Sequence, residues 1–208
     1  MTEELGLRER KKLRTRAAIS AAAIRLFLDS GFDAVGVAEV ARVAEVSKRT
    51  LFAYFPTKED LVLHRFADHE TDAADVVRGR RPGQGPLAAL RESFLRGLRE
   101  REPVTGLCDD PEVVEVFRLV TGTPSLVARL LEFTAAGETA LTAALAESGV
   151  PAPDAGLAAA QISAVRRTLA TANMDALAAG STAALRHPDA VAAAERAFAM
   201  LDHGIGFG

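Results

Sequence analysis

The sequence predicts an all-α fold, in which a small N-terminal three-helix head precedes a larger helical body. Of the 208 residues, 49% are hydrophobic but only 5% are aromatic, so alanine, leucine and valine must build the cores. Abundant alanine favours helix because its side chain loses no rotamer entropy there. Strand-like alternation of apolar and polar residues appears nowhere over a useful length.

The first helix is predicted from about Arg8 to Ser30. Gly31 follows as its stop signal, since glycine readily adopts the left-handed conformation that ends helices. The apolar residues of this helix recur at helical spacing and form one face, made of Ile19, Ala22, Ala23, Leu26 and Phe27.

Two short helices follow and are joined by a tight turn. The second helix is predicted to start after Gly36, and Ser47 and Thr50 suit the N-cap and first turn of the third helix. Pro56 ends the third helix. The buried stripe of the second helix consists of Val37, Val40, Ala41 and Ala44.

Thr57 is predicted to cap a fourth helix over residues 58–78, followed by a Gly- and Pro-rich loop over residues 79–86. Proline suits the first turn of a helix, where its missing N–H would have no partner. Prolines therefore predict five further helices, at 86–101, 111–121, 124–148, 153–179 and 188–203. We expect residues 1–57 to form the head domain and residues 58–208 to form the body domain.

The composition also indicates the cellular compartment in which the protein is expected. No uncharged apolar run approaches the roughly 18 residues that a membrane span requires, and the acidic N-terminus lacks an apolar signal segment. Cys108 is the single cysteine, which excludes an internal disulfide. We therefore expect a cytoplasmic protein with no membrane partner.

Charge is distributed unevenly along the chain. The formal net charge is −3, which by itself argues against a nucleic-acid partner. Residues 8–16, however, hold six cationic side chains and one acid, and all four lysines lie in the first 58 residues. A concentrated patch matters more for phosphate binding than whole-chain charge.

The second and third helices together have the pattern of a helix-turn-helix, which predicts DNA binding. Leu51 and Phe55 are one turn apart and should face the core, so that the outer face is free to enter a major groove. Lysine and arginine can donate there to guanine O6 and N7, and hydroxyl groups can contact phosphates. The expected DNA-contacting residues are Arg14, Thr15, Ser47, Lys48, Arg49, Thr50, Phe52, Tyr54 and Lys58.

Residues 15–62 resemble the DNA-binding domain of the TetR family of transcriptional regulators. The resemblance is carried by Thr15-Arg16, Ile19, Ala22-Ala23, Leu26-Phe27, Gly31-Phe32, Val40-Ala41, Ala44, Val46-Ser47, Thr50-Leu51, Tyr54-Phe55, Lys58-Glu59 and Leu61. The chain departs from the family pattern at Gly36, where Thr or Ser is common, at Glu45, where Gly is usual, and at Phe52, where Tyr is usual. None of these departures removes the predicted fold.

This resemblance implies a homodimer that binds a palindromic operator, usually as a repressor, and a body that binds a small-molecule effector. We expect no enzymatic activity, metal or cofactor, since the sequence contains no nucleophile elbow, phosphate loop or paired-cysteine motif. A lipophilic effector is expected to release the DNA, from a pocket lined by Phe66, His69, Phe94, Leu98, Phe117, Leu130, Phe133 and Met174. The last two long helices are expected to form the dimer interface through Ile162, Val165, Leu169, Val191, Phe198 and Leu201.

Three other functions are compatible with parts of the sequence. His64 and Asp68 are one helical turn apart and could share a metal, as in an enzyme. Cys108 could act as a redox sensor, although the following Asp109 and Asp110 disfavour a reactive thiolate. A helical interaction module that does not bind DNA would leave the cationic head unexplained.

Overall fold

The computed structural model describes residues 6–204, except for the side chain of Leu7. Every regular element in this range is helical, so the all-α prediction is confirmed. The elements in chain order are α1 (Leu7–Ser30), α2 (Val37–Val43), α3 (Lys48–Tyr54), α4 (Asp60–Asp68), α5 (Asp72–Arg78), α6 (Pro86–Glu100), a 3₁₀ turn (Pro103–Thr105), α7 (Pro111–Gly122), α8 (Pro124–Glu147), α9 (Ala152–Ala178) and α10 (Ala183–His203).

The helices group into two compact units. Unit 1 runs to Arg65 and also contains Arg118–Arg129; unit 2 contains Phe66–Phe117 and the chain from Leu130 onward. These units do not follow the division at residue 57, because a segment from the second half of the chain packs into unit 1. The functional division into domains 1–57 and 58–208 stays a prediction.

The core of unit 1 is built on the predicted apolar face of α1. Ile19, Ala23 and Phe27 are buried, and the Phe27 and Phe32 rings lie 4.9 Å apart between their centroids. Gly31 ends α1 as predicted: it has a φ of 87°, and its N–H donates to the Phe27 carbonyl. The α2 helix packs against both α1 and α3, which fixes the three-helix head.

The prediction of a single helix over residues 58–78 is wrong, since α4 ends at Asp68 and α5 begins at Asp72. Between them the backbone tightens, with bonds from the His69 N–H to the Phe66 carbonyl and from the Glu70 N–H to the Ala67 carbonyl. Gly137 of α8 packs on this bend so closely that a Cβ there would lie 2.7 Å from the Glu70 carbonyl oxygen. A distant glycine thus accommodates the bend, and no local sequence signal marks it.

The predicted start of the last helix at Pro188 is also wrong. Helix α10 begins at Ala183, after Thr182, whose side chain accepts a hydrogen bond from the Leu185 N–H as an N-cap. Asp109 adds a second cap by accepting from the Ala183 N–H at 2.8 Å. Pro188 therefore lies inside the helix. By contrast, Pro86, Pro111 and Pro124 are the first residues of their helices, as predicted.

The core of unit 2 is assembled from α5 to α10. It includes Leu98, Leu107 and Leu141, all fully buried, and the Phe94 and Phe198 rings, whose centroids lie 6.1 Å apart. The α10 helix packs against α6 and α9. Both α9 and α10 contribute small residues to this core, such as Ala155, Ala159, Ala190 and Ala194.

Candidate nucleic-acid interface

The turn between α2 and α3 has a tightly defined backbone. The Val46 N–H donates to the Ala41 carbonyl and the Glu45 N–H donates to the Arg42 carbonyl, which is the hydrogen-bond pattern of a Schellman motif. This motif places Glu45 in the left-handed region, with a φ of 53°. Glycine usually fills such a position because a Cβ is strained there. The departure from glycine at Glu45 thus falls at the one strained residue of the turn.

Ser47 caps α3, as its sequence position predicts. Its Oγ accepts from the Thr50 N–H at 3.0 Å and lies 2.8 Å from the Thr50 hydroxyl. The two hydroxyls expected to contact phosphate are therefore already engaged with each other. Since a hydroxyl both donates and accepts, this pairing leaves further hydrogen-bonding capacity for a phosphate oxygen.

The outer face of α3 presents cations beside an aromatic ring. Leu51 and Phe55 are buried, as the one-turn spacing predicted. Lys48 and Arg49 are exposed, and Phe52 is 47% exposed despite its apolar ring. Tyr54, at the end of the helix, is half-buried. The structure thus brings Lys48, Arg49 and Phe52 onto a solvent-facing stretch of one short helix.

The N-terminal part of α1 carries the second group of cations. Arg14 is exposed, together with Arg8, Arg10, Lys11 and Lys12. The Thr15 hydroxyl donates to the Lys11 carbonyl at 3.0 Å, one helical turn back. Among the candidates on α1, Arg14 is therefore the one with an accessible cationic head.

Lys58 occupies an environment that its position in the sequence did not reveal. Its ammonium donates to the Phe32 carbonyl and lies 4.3 Å from the centroid of the Phe32 ring and 5.5 Å from that of the Phe27 ring. Cation–π contacts of this kind stabilise a fold. Lys58 therefore ties the start of the fourth-helix segment to the end of α1, in addition to any contact with phosphate.

The candidates for an effector pocket separate into two groups. Phe94, Leu98 and Met174 lie within the core of unit 2, and Phe117 packs against it. Phe66 is 41% exposed, and the exposed His69 pairs through Nδ1 with Asp72 Oδ2 at 2.8 Å. Leu130 and Phe133 are half-buried. Of the eight, Phe94 is the one that borders a cavity in unit 2.

A cavity of about 290 Å³ lies in unit 2, bounded by α5, α6, the 3₁₀ turn and α9. Its apolar lining consists of Val76, Leu90, Phe94 and Val104, but charged side chains also line it. One of these is Arg166 of α9. Sequence reasoning missed it because Arg166 and its neighbour Arg167 resemble a pair of solvated surface cations.

The residues predicted to form the dimer interface are buried or half-buried in the single chain. Ile162 and Phe198 belong to the core of unit 2, while Leu169, Val191 and Leu201 pack against that core from partly buried positions; Val165 is half-buried. The same two helices carry large apolar side chains that are well exposed. These are Leu157 at 64%, Leu185 at 74% and Met200 at 49% exposure.

The structure also shows the surroundings of His64 and Cys108, on which the metal-site and redox-sensor alternatives depend. His64 is buried, contacts the Phe55 ring edge-on and lies 3.3 Å from the Ser20 hydroxyl through Nδ1. Within residues 6–204, no three His, Cys, Asp or Glu side chains are placed to hold a metal ion together. Cys108 is a half-buried free thiol. No helix in that range is long and apolar enough to cross a membrane.

Comparison with known proteins agrees with this geometry. Residues 19–64 match the family model described as bacterial regulatory proteins, tetR family. The chain is 33% identical over 127 residues to the HTH-type transcriptional regulator TcmR of Streptomyces glaucescens, an alignment that covers 61% of this chain. The chain spans 56% of the length of that curated relative.

Solved structures show the same fold over nearly the whole chain. A TetR-family regulator from Streptomyces coelicolor A3 is similar with a TM-score of 0.59 at 21% identity, covering 97% of this chain and 99% of that one. NalD of Pseudomonas aeruginosa is similar with a TM-score of 0.57 at 18% identity, covering 88% and 96%. The matched family consists of regulators and not of enzymes. Residues 19–64 therefore carry the region that defines the tetR family of bacterial regulatory proteins, and the chain as a whole shares its fold with TetR-family regulators of known structure.

Proposed function

We propose that this protein is a repressor that binds a palindromic DNA operator as a homodimer and is released by a small-molecule effector. The observation that carries the proposal is the solvent-facing stretch of α3, where Lys48, Arg49 and Phe52 are exposed beside the turn made by Glu45. Two cations and an aromatic ring on a helix of a helix-turn-helix suit a major groove. Its site of action is then the cytoplasm.

The cations on α1 supply the second part of the interface. Exposed side chains from Arg8 to Arg14 can neutralise phosphates, which contributes affinity without selecting sequence. Sequence selection then falls to Lys48 and Arg49, whose donors suit guanine, and to Phe52, which suits a thymine methyl group. Ser47, Thr50, Tyr54 and Lys58 are proposed to contact the sugar-phosphate backbone.

The dimer is proposed to form through α9 and α10. Leu157, Leu185 and Met200 offer exposed apolar surface on these helices, and Leu169, Val191 and Leu201 lie half-buried beside the core. A two-fold dimer presents two copies of α3, so the half-sites are expected about one helical turn of DNA apart, roughly 34–36 Å, or a multiple of it.

Repression relieved by a ligand is supported by the cavity in unit 2 and by analogy. NalD is described as the secondary repressor of the MexAB-OprM multidrug efflux pump. The cavity volume of about 290 Å³ is close to the lower end of the range for small-molecule sites. Its charged lining argues for a ligand more polar than the lipophilic effector that the sequence suggested.

The experiment that tests the proposal is selection of bound fragments from randomised duplex DNA with the purified full-length protein, followed by a salt series on the recovered sequence. The expected result is a palindromic consensus whose binding weakens steeply with salt. Binding with no sequence preference at any salt concentration would overturn the proposal of an operator-binding regulator.

A further inference from the structure

We infer that the cavity in unit 2 binds a small organic monocarboxylic acid, with Arg166 as the anchor for its carboxylate. The inference rests on the proposed function, because it names the chemical class of the effector. The cavity, the lack of a described partner for Arg166 and the charged groups around it support this assignment.

Arg166 lies on the cavity wall without a hydrogen-bond or ion-pair partner among residues 6–204. It is only half-exposed, and burial lowers the pKa of its guanidinium, an effect that the charge of nearby Asp72 partly opposes by raising the pKa. A desolvated guanidinium with unused donors is costly for the free protein. Its planar fork of N–H groups matches the two oxygens of a carboxylate.

Two of the acids around the cavity are engaged by other residues. Asp72 is engaged by His69 at 2.8 Å. Asp75 accepts from the Thr71 hydroxyl at 3.0 Å and lies 3.8 Å from Arg78. Neither carboxylate forms an ion pair with Arg166 among the described contacts.

The same acids limit the charge of the ligand. Asp72, Asp75 and Glu102 all line the cavity, and Arg96 is its second cation. Three carboxylates repel a ligand with two or more negative charges, so a phosphate ester or a dicarboxylate fits poorly. A single carboxylate on Arg166 avoids most of this repulsion.

The apolar part of the cavity lining determines which hydrocarbon body of the ligand fits. Its apolar residues are Val76 of α5, Leu90 and Phe94 of α6, and Val104 of the 3₁₀ turn, and Phe94 offers an aromatic ring. An aromatic or alicyclic body can pack there while its acid group reaches Arg166. A hydroxyl on that body can donate to Glu102, whose carboxylate accepts no hydrogen bond within the described part of the chain.

The test compares matched acids and amides by calorimetry on the full-length protein without DNA. The probes are 4-hydroxybenzoate, 4-hydroxyphenylacetate and 4-hydroxycinnamate, each against its neutral amide. We expect at least one acid to bind, and its amide to bind about tenfold more weakly or worse, because hydrogen bonds to charged groups are the stronger ones.

Variants of neighbouring arginines assign the effect to one residue. Arg166→Gln is expected to remove the preference for acid over amide, Arg166→Lys to restore part of it, and Arg167→Gln, at an exposed position on the same helix, to bind like the wild type. Failure of every acid to bind at millimolar concentration, equal binding of acid and amide, or unchanged acid binding by Arg166→Gln would overturn the inference. Because no DNA is present, those results test only the effector class and say nothing about operator binding. A failure to bind an operator would likewise not change the acid measurements.

Discussion

Arg129 of α8 donates from Nε to Asp60 Oδ1 at 2.9 Å, within unit 1. The other oxygen of Asp60 accepts from the Thr57 N–H at 3.0 Å, while the Thr57 hydroxyl accepts from the Asp60 N–H at 3.2 Å. One buried carboxylate thus completes a capping box at the start of α4 and holds a segment 69 residues away in sequence.

Asp60→Asn is expected to destabilise the protein by about 2 kcal/mol, because the amide keeps one acceptor oxygen but places its NH2 donor where either Arg129 or the Thr57 N–H requires an acceptor. Urea unfolding followed by circular dichroism measures the change. Glu59→Gln is the matched control at the neighbouring, half-buried acid and should alter stability by less than about 0.5 kcal/mol. Equal stability of Asp60→Asn and the wild type would show that the pair does not stabilise unit 1.

Because the backbone of Glu45 is strained, we expect Glu45→Gly to stabilise the protein. Glycine relieves roughly 1–2 kcal/mol of left-handed strain and loses about 0.4–1 kcal/mol to the greater entropy of the unfolded chain. The expected net gain is about 0.5–1 kcal/mol in the free energy of unfolding. Glu45→Ala removes the charge but keeps a Cβ at a φ of 53°, so it should give no such gain. A gain of the same size in both variants would contradict the strain argument.

Lys58→Met is expected to destabilise the head by about 1 kcal/mol, because it keeps the aliphatic stem but removes the ammonium from the Phe32 carbonyl and from the two rings. Thermal unfolding measures the effect. Lys48→Met, at an exposed position, is the control and should leave the melting temperature nearly unchanged. Equal melting temperatures for the two variants would argue against a structural role for Lys58.

Arg166→Gln is expected to raise the stability of the ligand-free protein by about 1 kcal/mol, because a desolvated cation without a close partner is replaced by a neutral amide. The melting temperature without ligand measures this change, and Arg167→Gln provides the exposed comparison. A loss of stability in Arg166→Gln alone would indicate that the guanidinium supports the fold of unit 2.

The proposed dimer predicts that Leu157→Glu combined with Leu185→Glu shifts the protein from dimer to monomer, because charges would be buried in an apolar interface. Light scattering after size-exclusion chromatography measures the molar mass. Leu131→Glu changes a leucine that is 57% exposed on α8 and should leave the mass unchanged. A monomeric wild-type protein, or a double variant that stays dimeric, would rule out these contacts.

The head could be predicted from sequence because its signals are local. Gly31 ends α1, Ser47 caps α3 and the spacing of Leu51 and Phe55 faces them inward, so each feature depends on residues within one or two turns. The α4–α5 bend could not be predicted in this way. It is accommodated by Gly137, which lies far along the chain from the bend.

The cavity could not be predicted from the sequence, because the spacing of apolar residues does not distinguish a core from a pocket. Phe94, Leu98 and Met174 recur at the apolar spacing that serves core and pocket equally, and the structure places all three in the core. Arg166 gave no signal, since an arginine in an alanine-rich helix usually faces water. Only the three-dimensional packing shows which apolar residues border empty space and which cation lines it.

Whether the exposed cations of α3 read DNA is tested most directly by the affinity of single variants for the selected operator over a salt series. Lys48→Ala and Arg49→Ala should each weaken operator binding by at least about tenfold, in line with the 1–3 kcal/mol of a base contact. Arg99→Ala, an exposed cation on α6, should bind like the wild type. Wild-type affinity in both α3 variants would contradict the account.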